Sequence, residues 1–293
     1  MSSNKKTYGE KLKSRVRSRR ILPVIGVYDV FSAALAAKKF EAIFCSGYGL
    51  SASFYGLPDE GFITCNDMVS FVSRLRQKLN SIHIIVDIDE GYGSAESAST
   101  AVKMLEQAGA SGLILEDQKR PKKCGHLNNK LILDINEYKE RLIAVVESNK
   151  DLYVIARTDS SDFDIALERV VEYSKMGADA VLIEGITSHA QIPLIRNAIN
   201  EKVGIAINLI AGGKTEPISM TTLDNFGINI VNYSTPCLFS AHKAINLSLD
   251  KLLDNDGMLI VEKVRPTWSS LRKTVLITIL CHPSEQKEHT QQE

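Results

Sequence analysis

His83-Ile84-Ile85-Val86-Asp87-Ile88-Asp89-Glu90-Gly91-Tyr92-Gly93 opens the stretch on which the fold turns. Its continuous apolar run reads as a strand covered on both faces, and it stops abruptly in acids and glycines. An amphipathic pattern follows over 95–108, and Gln107-Ala108-Gly109-Ala110 places a helix-ending glycine just before a second apolar run at 112–116. That is one strand–helix–strand unit. The same corner recurs at Lys175-Met176-Gly177-Ala178. Working outward, strands are expected at 22–27, 42–46, 83–87, 112–116, 153–157, 180–184, 204–209 and 228–233. Amphipathic helices fit 67–79, 95–108, 135–148, 164–176 and 189–199. Eight β-then-α units predict an α/β fold, a closed (β/α)8 barrel of the TIM type. Periodicity alone does not show closure, so an open doubly wound sheet stays as the alternative.

The 293 residues suit one such barrel, expected over 1–255 with its N-terminal helix; residues 256–293 form a C-terminal extension, partly disordered. The apolar run at 275–281 has no place in the barrel pattern, and 283–293 is polar. Formal net charge is zero, which argues against a nucleic-acid or anionic-membrane partner. One local excess stands out: eight Lys or Arg against one Glu up to Arg20, with Tyr8, Leu12 and Val16 on one helical stripe. It reads as a solvated amphipathic first helix, with a transit peptide or anionic-partner arm as the alternative. No apolar run approaches the ~18 residues of a membrane span, and no signal-peptide core follows the basic start. Five cysteines without a CxxC pair point to a reduced, cytoplasmic compartment.

In a barrel of this kind, polar residues at strand C-termini meet in the active site. Those ends read Ser46-Gly47-Tyr48-Gly49, Asp87-Ile88-Asp89-Glu90, Glu116-Asp117-Gln118, Arg157-Thr158-Asp159, Glu184 and Asn208. Two residues apart on a strand, Asp87 and Asp89 should point to one side, and Glu116 joins them from the next strand. Such hard oxygen donors suit Mg²⁺ or Mn²⁺. The plainer alternative is a strand end that terminates in turn-forming acids. Glycines 47, 49, 91 and 93 would let backbone N–H groups approach an anion. After the fourth strand runs Lys119-Arg120-Pro121-Lys122-Lys123-Cys124-Gly125-His126, a basic loop with the character of a lid. Its positive charges are expected to lower the Cys124 thiol pKa and fit it for proton transfer; an exposed cysteine in a solvated loop is the alternative. Tyr92, Tyr233 and His189 read as packing or rim residues, and Cys45 as a small buried hydrophobe.

From about Leu22 to about Ala244 the chain resembles the isocitrate lyase / phosphoenolpyruvate mutase superfamily. The likeness is carried by Ser46-Gly47-Tyr48-Gly49-Leu50-Ser51-Ala52-Ser53, Gly56-Leu57-Pro58-Asp59, Asp87-Ile88-Asp89-Glu90-Gly91-Tyr92-Gly93, Glu116-Asp117-Gln118, Lys122-Lys123-Cys124-Gly125-His126, Ala156-Arg157-Thr158-Asp159, and Asn208 with Gly212-Gly213-Lys214-Thr215. The resemblance implies a barrel, a Mg²⁺ ion and a 2-oxo or 2-hydroxy acid substrate whose oxalate-like end chelates it. It also implies a homotetramer that swaps a C-terminal helix between subunits. Asp87, Asp89 and Glu116 would hold the metal, some through water, with Asp59 in the outer shell. Ser46 and the N–H groups of Gly47 and Tyr48 would hold the substrate carboxylate, with Arg157 neutralising it and Lys122 and Asn208 assisting. Cys124 would carry a proton, and His126 and Glu184 would orient a second carboxylate or relay protons.

Within that superfamily, Lys-Lys-Cys-Gly-His resembles the gating loop of the carbon–carbon lyase branch. Three features separate this chain from a methylisocitrate lyase: Lys123 stands where arginine is usual, Tyr48 resembles the petal death protein and oxaloacetate hydrolase group, and Ala211 stands where relatives often carry Glu. A small malate-like or oxaloacetate-like diacid is therefore expected. Two readings compete: a phosphonomutase making P–C bonds, and a barrel retained for binding alone. The second predicts a decayed site, yet Asp87, Asp89, Glu116, Cys124 and Arg157 are all present.

Overall fold

The computed structural model describes residues 6–18, 20–127 and 129–258. Eight parallel strands close into a barrel in sequence order, the last pairing with the first. They are β1 (Leu22–Val27), β2 (Ala42–Cys45), β3 (His83–Asp87), β4 (Gly112–Glu116), β5 (Tyr153–Thr158), β6 (Ala180–Ile183), β7 (Gly204–Leu209) and β8 (Ile230–Tyr233). The helices are α1 (Tyr8–Arg17), α2 (Val30–Ala36), α3 (Gly47–Leu50), α4 (Cys65–Lys78), α5 (Ala95–Ala108), α6 (Ile135–Ser148), α7 (Phe163–Lys175), α8 (Gln191–Ala198), α9 (Met220–Asn225) and α10 (Pro236–Asp254), with a π-helical turn at Ser51–Tyr55. Closure settles the open-sheet alternative. All eight expected strands form, with ends that move by a residue or two. The sequence reading did not identify α2, α3, α9 and α10; the first three have seven residues or fewer, too short to show periodicity, whereas α10 buries no residue among those described and so presents no core-facing stripe.

Local chemistry explains the boundaries. Thr64 and Asp67 form a reciprocal capping box on α4, and the Ser94 hydroxyl and Asp162 carboxylate accept backbone N–H groups at the starts of α5 and α7. The two repeated glycine corners turn as expected: Gly109 (φ 94°) and Gly177 (φ 93°) both take the left-handed conformation that ends a helix cheaply only without a Cβ.

Two apolar layers hold the barrel. Ile43, Ile84, Val86, Leu113, Leu115, Val154 and Val181 face outward against the helices. Inside, Leu22, Val24, Phe44, Ile85, Ile114, Ile155 and Leu182 form a second cluster that includes Leu12 and Val16 of α1. The basic first helix therefore closes the N-terminal mouth with its apolar stripe, Leu12 being wholly buried. Chemistry is left to the opposite end. No helix among the described residues is long and apolar enough to cross a membrane. The expectations for the 275–281 run and the polar tail, with nearly all of the 256–293 extension, lie outside the described residues.

Candidate active site

Strand register starts the site. Glu116 lies opposite Arg157 across β4 and β5, and Asn208 opposite Asn232 across β7 and β8. Phe44, Ile114 and Leu182 provide an apolar floor. Above them opens a cleft that encloses about 470 Å³ of space, open solvent at its mouth included. Ser46, Tyr48, Asp59, Asp87, Lys122, Cys124, His126, Arg157, Glu184 and Asn208 all line it. The structure thus gathers residues that are far apart in the chain.

The acid cluster forms differently from expectation. Asp87 ends β3, but Asp89 lies beyond the strand in the left-handed region at φ 47°, and its N–H donates to Asp87 Oδ1 at 3.2 Å. A tight turn, not the strand pleat, brings the two carboxylates together. Lys122 reaches in from the basic loop: its Nζ lies 2.6 Å from Asp89 Oδ1, 3.3 Å from Asp59 Oδ1 and 3.8 Å from Glu116 Oε1. Burial disfavours that ammonium, but Asp89, Glu116 and Asp59 outweigh it and hold the group firmly protonated.

Buried charge here is unbalanced. Seven carboxylates (Asp87, Asp89, Glu90, Glu116, Asp159, Glu184 and the partly exposed Asp59) share four fixed cations (Arg120, Lys122, Lys130 and Arg157). Both oxygens of Glu116, which is wholly buried, have no hydrogen-bond partner among the described residues. Burial pushes the Glu116 pKa well above the usual carboxylate range and Asp87 to about 6. An all-oxygen donor set with excess negative charge and orphaned carboxylate oxygens fits a hard divalent cation. No three acidic, His or Cys side chains among the described residues converge as a closed ligand set.

Arg157 is gripped by acids. Its NH2 donates to Asp159 Oδ1 at 3.0 Å, Nε lies 2.8 Å from Asp159 Oδ2 and 3.3 Å from Glu184 Oε2, and NH1 lies 3.3 Å from Glu116 Oε2. Beside it, Asn208 Nδ2 donates to Glu184 Oε1 at 2.8 Å, and the Ser234 hydroxyl donates to Asn208 Oδ1. Burial would raise the Glu184 pKa, but Arg157, His126 and Asn208 pull it down to about 2. Ser46 caps α3, its hydroxyl accepting the Gly49 N–H at 3.3 Å, while the Gly47 N–H points to Asp87 Oδ2 at 3.4 Å.

The basic loop folds over the mouth with Cys124 half-buried. One expectation is overturned: the thiol pKa is raised, not lowered. Burial is the main cause, and Asp59 and Glu184 add to it against the His126 backbone N–H and Arg157. The loop's cations are engaged elsewhere, Lys122 with the acid cluster and Arg120 with Glu90 at 2.6 Å. His126 Nε2 lies 2.8 Å from Glu184 Oε1. Tyr92 packs against the core and Cys45 is fully buried, as read from the sequence; His189 Nε2 sits 3.1 Å from the Glu216 carbonyl on the surface. Asn232 and Ser234 also line the cavity and were not singled out in sequence, although their place at the end of the eighth strand was the available signal. Nothing in the sequence marked Lys130.

Comparison with known proteins agrees with this architecture. Residues 12–253 match the family described as phosphoenolpyruvate phosphomutase. The chain is 32% identical to 2,3-dimethylmalate lyase of Eubacterium barkeri, over 84% of this chain and 86% of that one. It is also 32% identical to the chloroplastic carboxyvinyl-carboxyphosphonate phosphorylmutase of Arabidopsis thaliana, over 82% and 73%. Oxaloacetate acetylhydrolase in complex with the inhibitor 3,3-difluorooxalacetate superposes with a TM-score of 0.87 at 27% identity, covering 93% of this chain and 94% of that one. With the closed barrel, the shared architecture and the family match in hand, the chain belongs to the phosphoenolpyruvate mutase / isocitrate lyase superfamily, whose relatives here are lyases and hydrolases of carboxylic acids alongside phosphonomutases.

Proposed function

We propose that the protein is a Mg²⁺-dependent lyase or hydrolase that breaks a carbon–carbon bond in a malate-like or oxaloacetate-like acid. The observation that carries this reading is a thiol, Cys124, held protonated by burial at the rim of a cavity lined by buried acids and Arg157. A bond cleavage that leaves a carbanion-like carbon next to a carboxylate needs a proton donor at that place. Asp87, Asp89, Glu116 and Asp59 would hold the divalent cation, which when bound supplies positive charge to the oxygens at the cleaved end. Arg157, with the N–H groups at Gly47 and Tyr48, would fix the substrate carboxylate. His126 and Asn208, both against Glu184, would orient the second carboxylate. A base in the site takes the proton of the 2-hydroxyl, or of water added to an oxo group, so that this oxygen becomes part of the product's carbonyl or carboxylate as the C–C bond breaks. Negative charge develops on the departing fragment, and the Cys124 sulfhydryl delivers its proton to the carbon. The closed loop keeps water away during that step.

The phosphorylmutase relative supports a second reading, P–C bond chemistry on the same scaffold. Against it stands Cys124, a proton carrier that P–C bond transfer does not require. Exposed apolar residues along α10, Ile245, Leu249 and Leu253 among them, favour an oligomer such as the expected tetramer with exchanged C-terminal helices; sedimentation of the purified protein measures it. The deciding experiment for function offers oxaloacetate, 2-methylmalate, 2,3-dimethylmalate, methylisocitrate and phosphonopyruvate to wild type and Cys124→Ala, with Mg²⁺ and with EDTA. Turnover of a diacid, lost in the variant and in EDTA, is the expected result. Turnover of phosphonopyruvate alone moves the protein to the phosphonate branch, and silence on all five overturns both readings.

A further inference from the structure

The loop that brings Cys124 over the cavity is anchored on both sides of that cysteine. On one side, Gln118 treats the Lys123 backbone as a neighbouring strand would: its Nε2 donates to the Lys123 carbonyl at 2.8 Å and its Oε1 accepts the Lys123 N–H at 2.9 Å. On the other, Lys130 Nζ donates to the Gly125 carbonyl at 2.6 Å and to Asp159 Oδ1 at 2.7 Å. The Lys130 side chain is 4% exposed, so this is a buried contact rather than a surface pair. Gly125 packs tightly against the barrel end, and a Cβ there would run into Arg157 and Glu184.

Asp159 is the shared post. The oxygen that receives Lys130 also accepts Arg157 NH2 at 3.0 Å and Gln118 Nε2 at 3.3 Å. Its own backbone N–H is held at 2.8 Å by Asp117 Oδ1. Asp117 is wholly buried, and its second oxygen accepts Thr158, Arg169 and Tyr173 at 2.7 to 3.0 Å. The post therefore stands on a buried, fully hydrogen-bonded part of the core.

We propose that Lys130 is a positioning residue, a latch that ties the Cys124-bearing loop to Asp159 and so joins loop closure to the placement of Arg157. The proposal rests on the lyase reading for its meaning in catalysis, but the latch itself is a statement about the loop. Losing Lys130 removes the buried side-chain bond to the Gly125 carbonyl, the anchor next to Cys124, while Lys214 still holds His126 and the Leu127 carbonyl farther along and Gln118 still holds the other flank. The loop then opens more often, by on the order of tenfold to a hundredfold, the worth of one hydrogen bond to a charged group.

The test measures iodoacetamide modification of individual cysteines by peptide mass spectrometry in the full chain, comparing wild type with Lys130→Met, Lys130→Gln and Lys130→Arg. Cys65 and Cys237, both partly exposed, serve as internal references. Expected is a tenfold or greater rise at Cys124 alone in the Met and Gln variants, with substantial restoration in Lys130→Arg. An unchanged Cys124 rate overturns the latch, and so does a parallel rise at all three cysteines, which would mean general loosening. Because no substrate is needed, this outcome is independent of the lyase reading. Where turnover is measured, the latch predicts that kcat falls more than KM rises in Lys130→Met, with recovery of kcat in Lys130→Arg; equal effects in Met and Arg overturn it.

Discussion

The backbone N–H of Lys214 donates to Nδ1 of His126 at 2.9 Å, joining the loop after β4 to the loop after β7. An accepting Nδ1 leaves the ring's proton on Nε2, which faces Glu184 at 2.8 Å. One imidazole thus closes the mouth of the cavity and fixes its own tautomer. The pair separates two roles. His126→Asn can keep the acceptor for Lys214 but loses the contact with Glu184, whereas His126→Ala loses both. Turnover is expected to fall in both variants, and only the alanine should also raise protease sensitivity in the loop after β4. Equal proteolysis of the two would detach closure from the Lys214 bond.

Cys124 makes a kinetic prediction with a defined sign. Its pKa is raised above the ordinary 9.0, so the thiol form that donates a proton persists through neutral pH and is lost only on the alkaline side of that value. The cleavage rate should therefore hold across neutral pH and decline only in that alkaline range. Cys124→Ala should lose about 10²- to 10⁴-fold in kcat, the usual worth of a positioned proton donor. A rate that falls already between pH 7 and 8 would mean a thiol acidified by the loop, as its sequence alone had suggested.

Glu116 should reveal the cation through stability as well as activity. Its carboxylate is buried with both oxygens unpaired by hydrogen bonds, a cost in the absence of a cation. Glu116→Gln puts an amide that cannot ionise where burial already disfavours the charged carboxylate. The metal-free variant should melt at or above the wild-type temperature, while its Mg²⁺ affinity by calorimetry falls by roughly 10- to 100-fold. An unchanged Mg²⁺ affinity would remove Glu116 from the ion's surroundings.

Glu184 contributes in the opposite direction. Its folded pKa of about 2 lies below its ordinary 4.5, so the unfolded chain binds the proton more tightly. The resulting stabilisation is fully present above about pH 4.5 and is lost as pH falls towards 2. The gap in urea midpoint between wild type and Glu184→Gln should be widest near neutrality and shrink on acidification below 4.5. A gap independent of pH would mean that packing, not charge, makes the difference.

Much of this protein could be read before its structure. The eight buried runs, the glycines ending the helices that precede β4 and β6, and the acids and arginine at strand ends all follow from short-range chemistry. So did the order of the elements, and with it the end of the barrel where the site lies. What local reading missed came from contacts between distant segments. The approach of Asp87 to Asp89 depends on a left-handed turn that alternation along a strand could not reveal. Lys122 lies in the acid cluster, and Lys130 holds Asp159 across 29 positions. The sequence by itself determined which residue types stand at each strand's end, because hydrophobic periodicity and turn chemistry are local. Only the tertiary structure decided the Cys124 thiol's protonation and the partners of each charge, because burial and Coulomb interactions depend on distances that chain order does not contain.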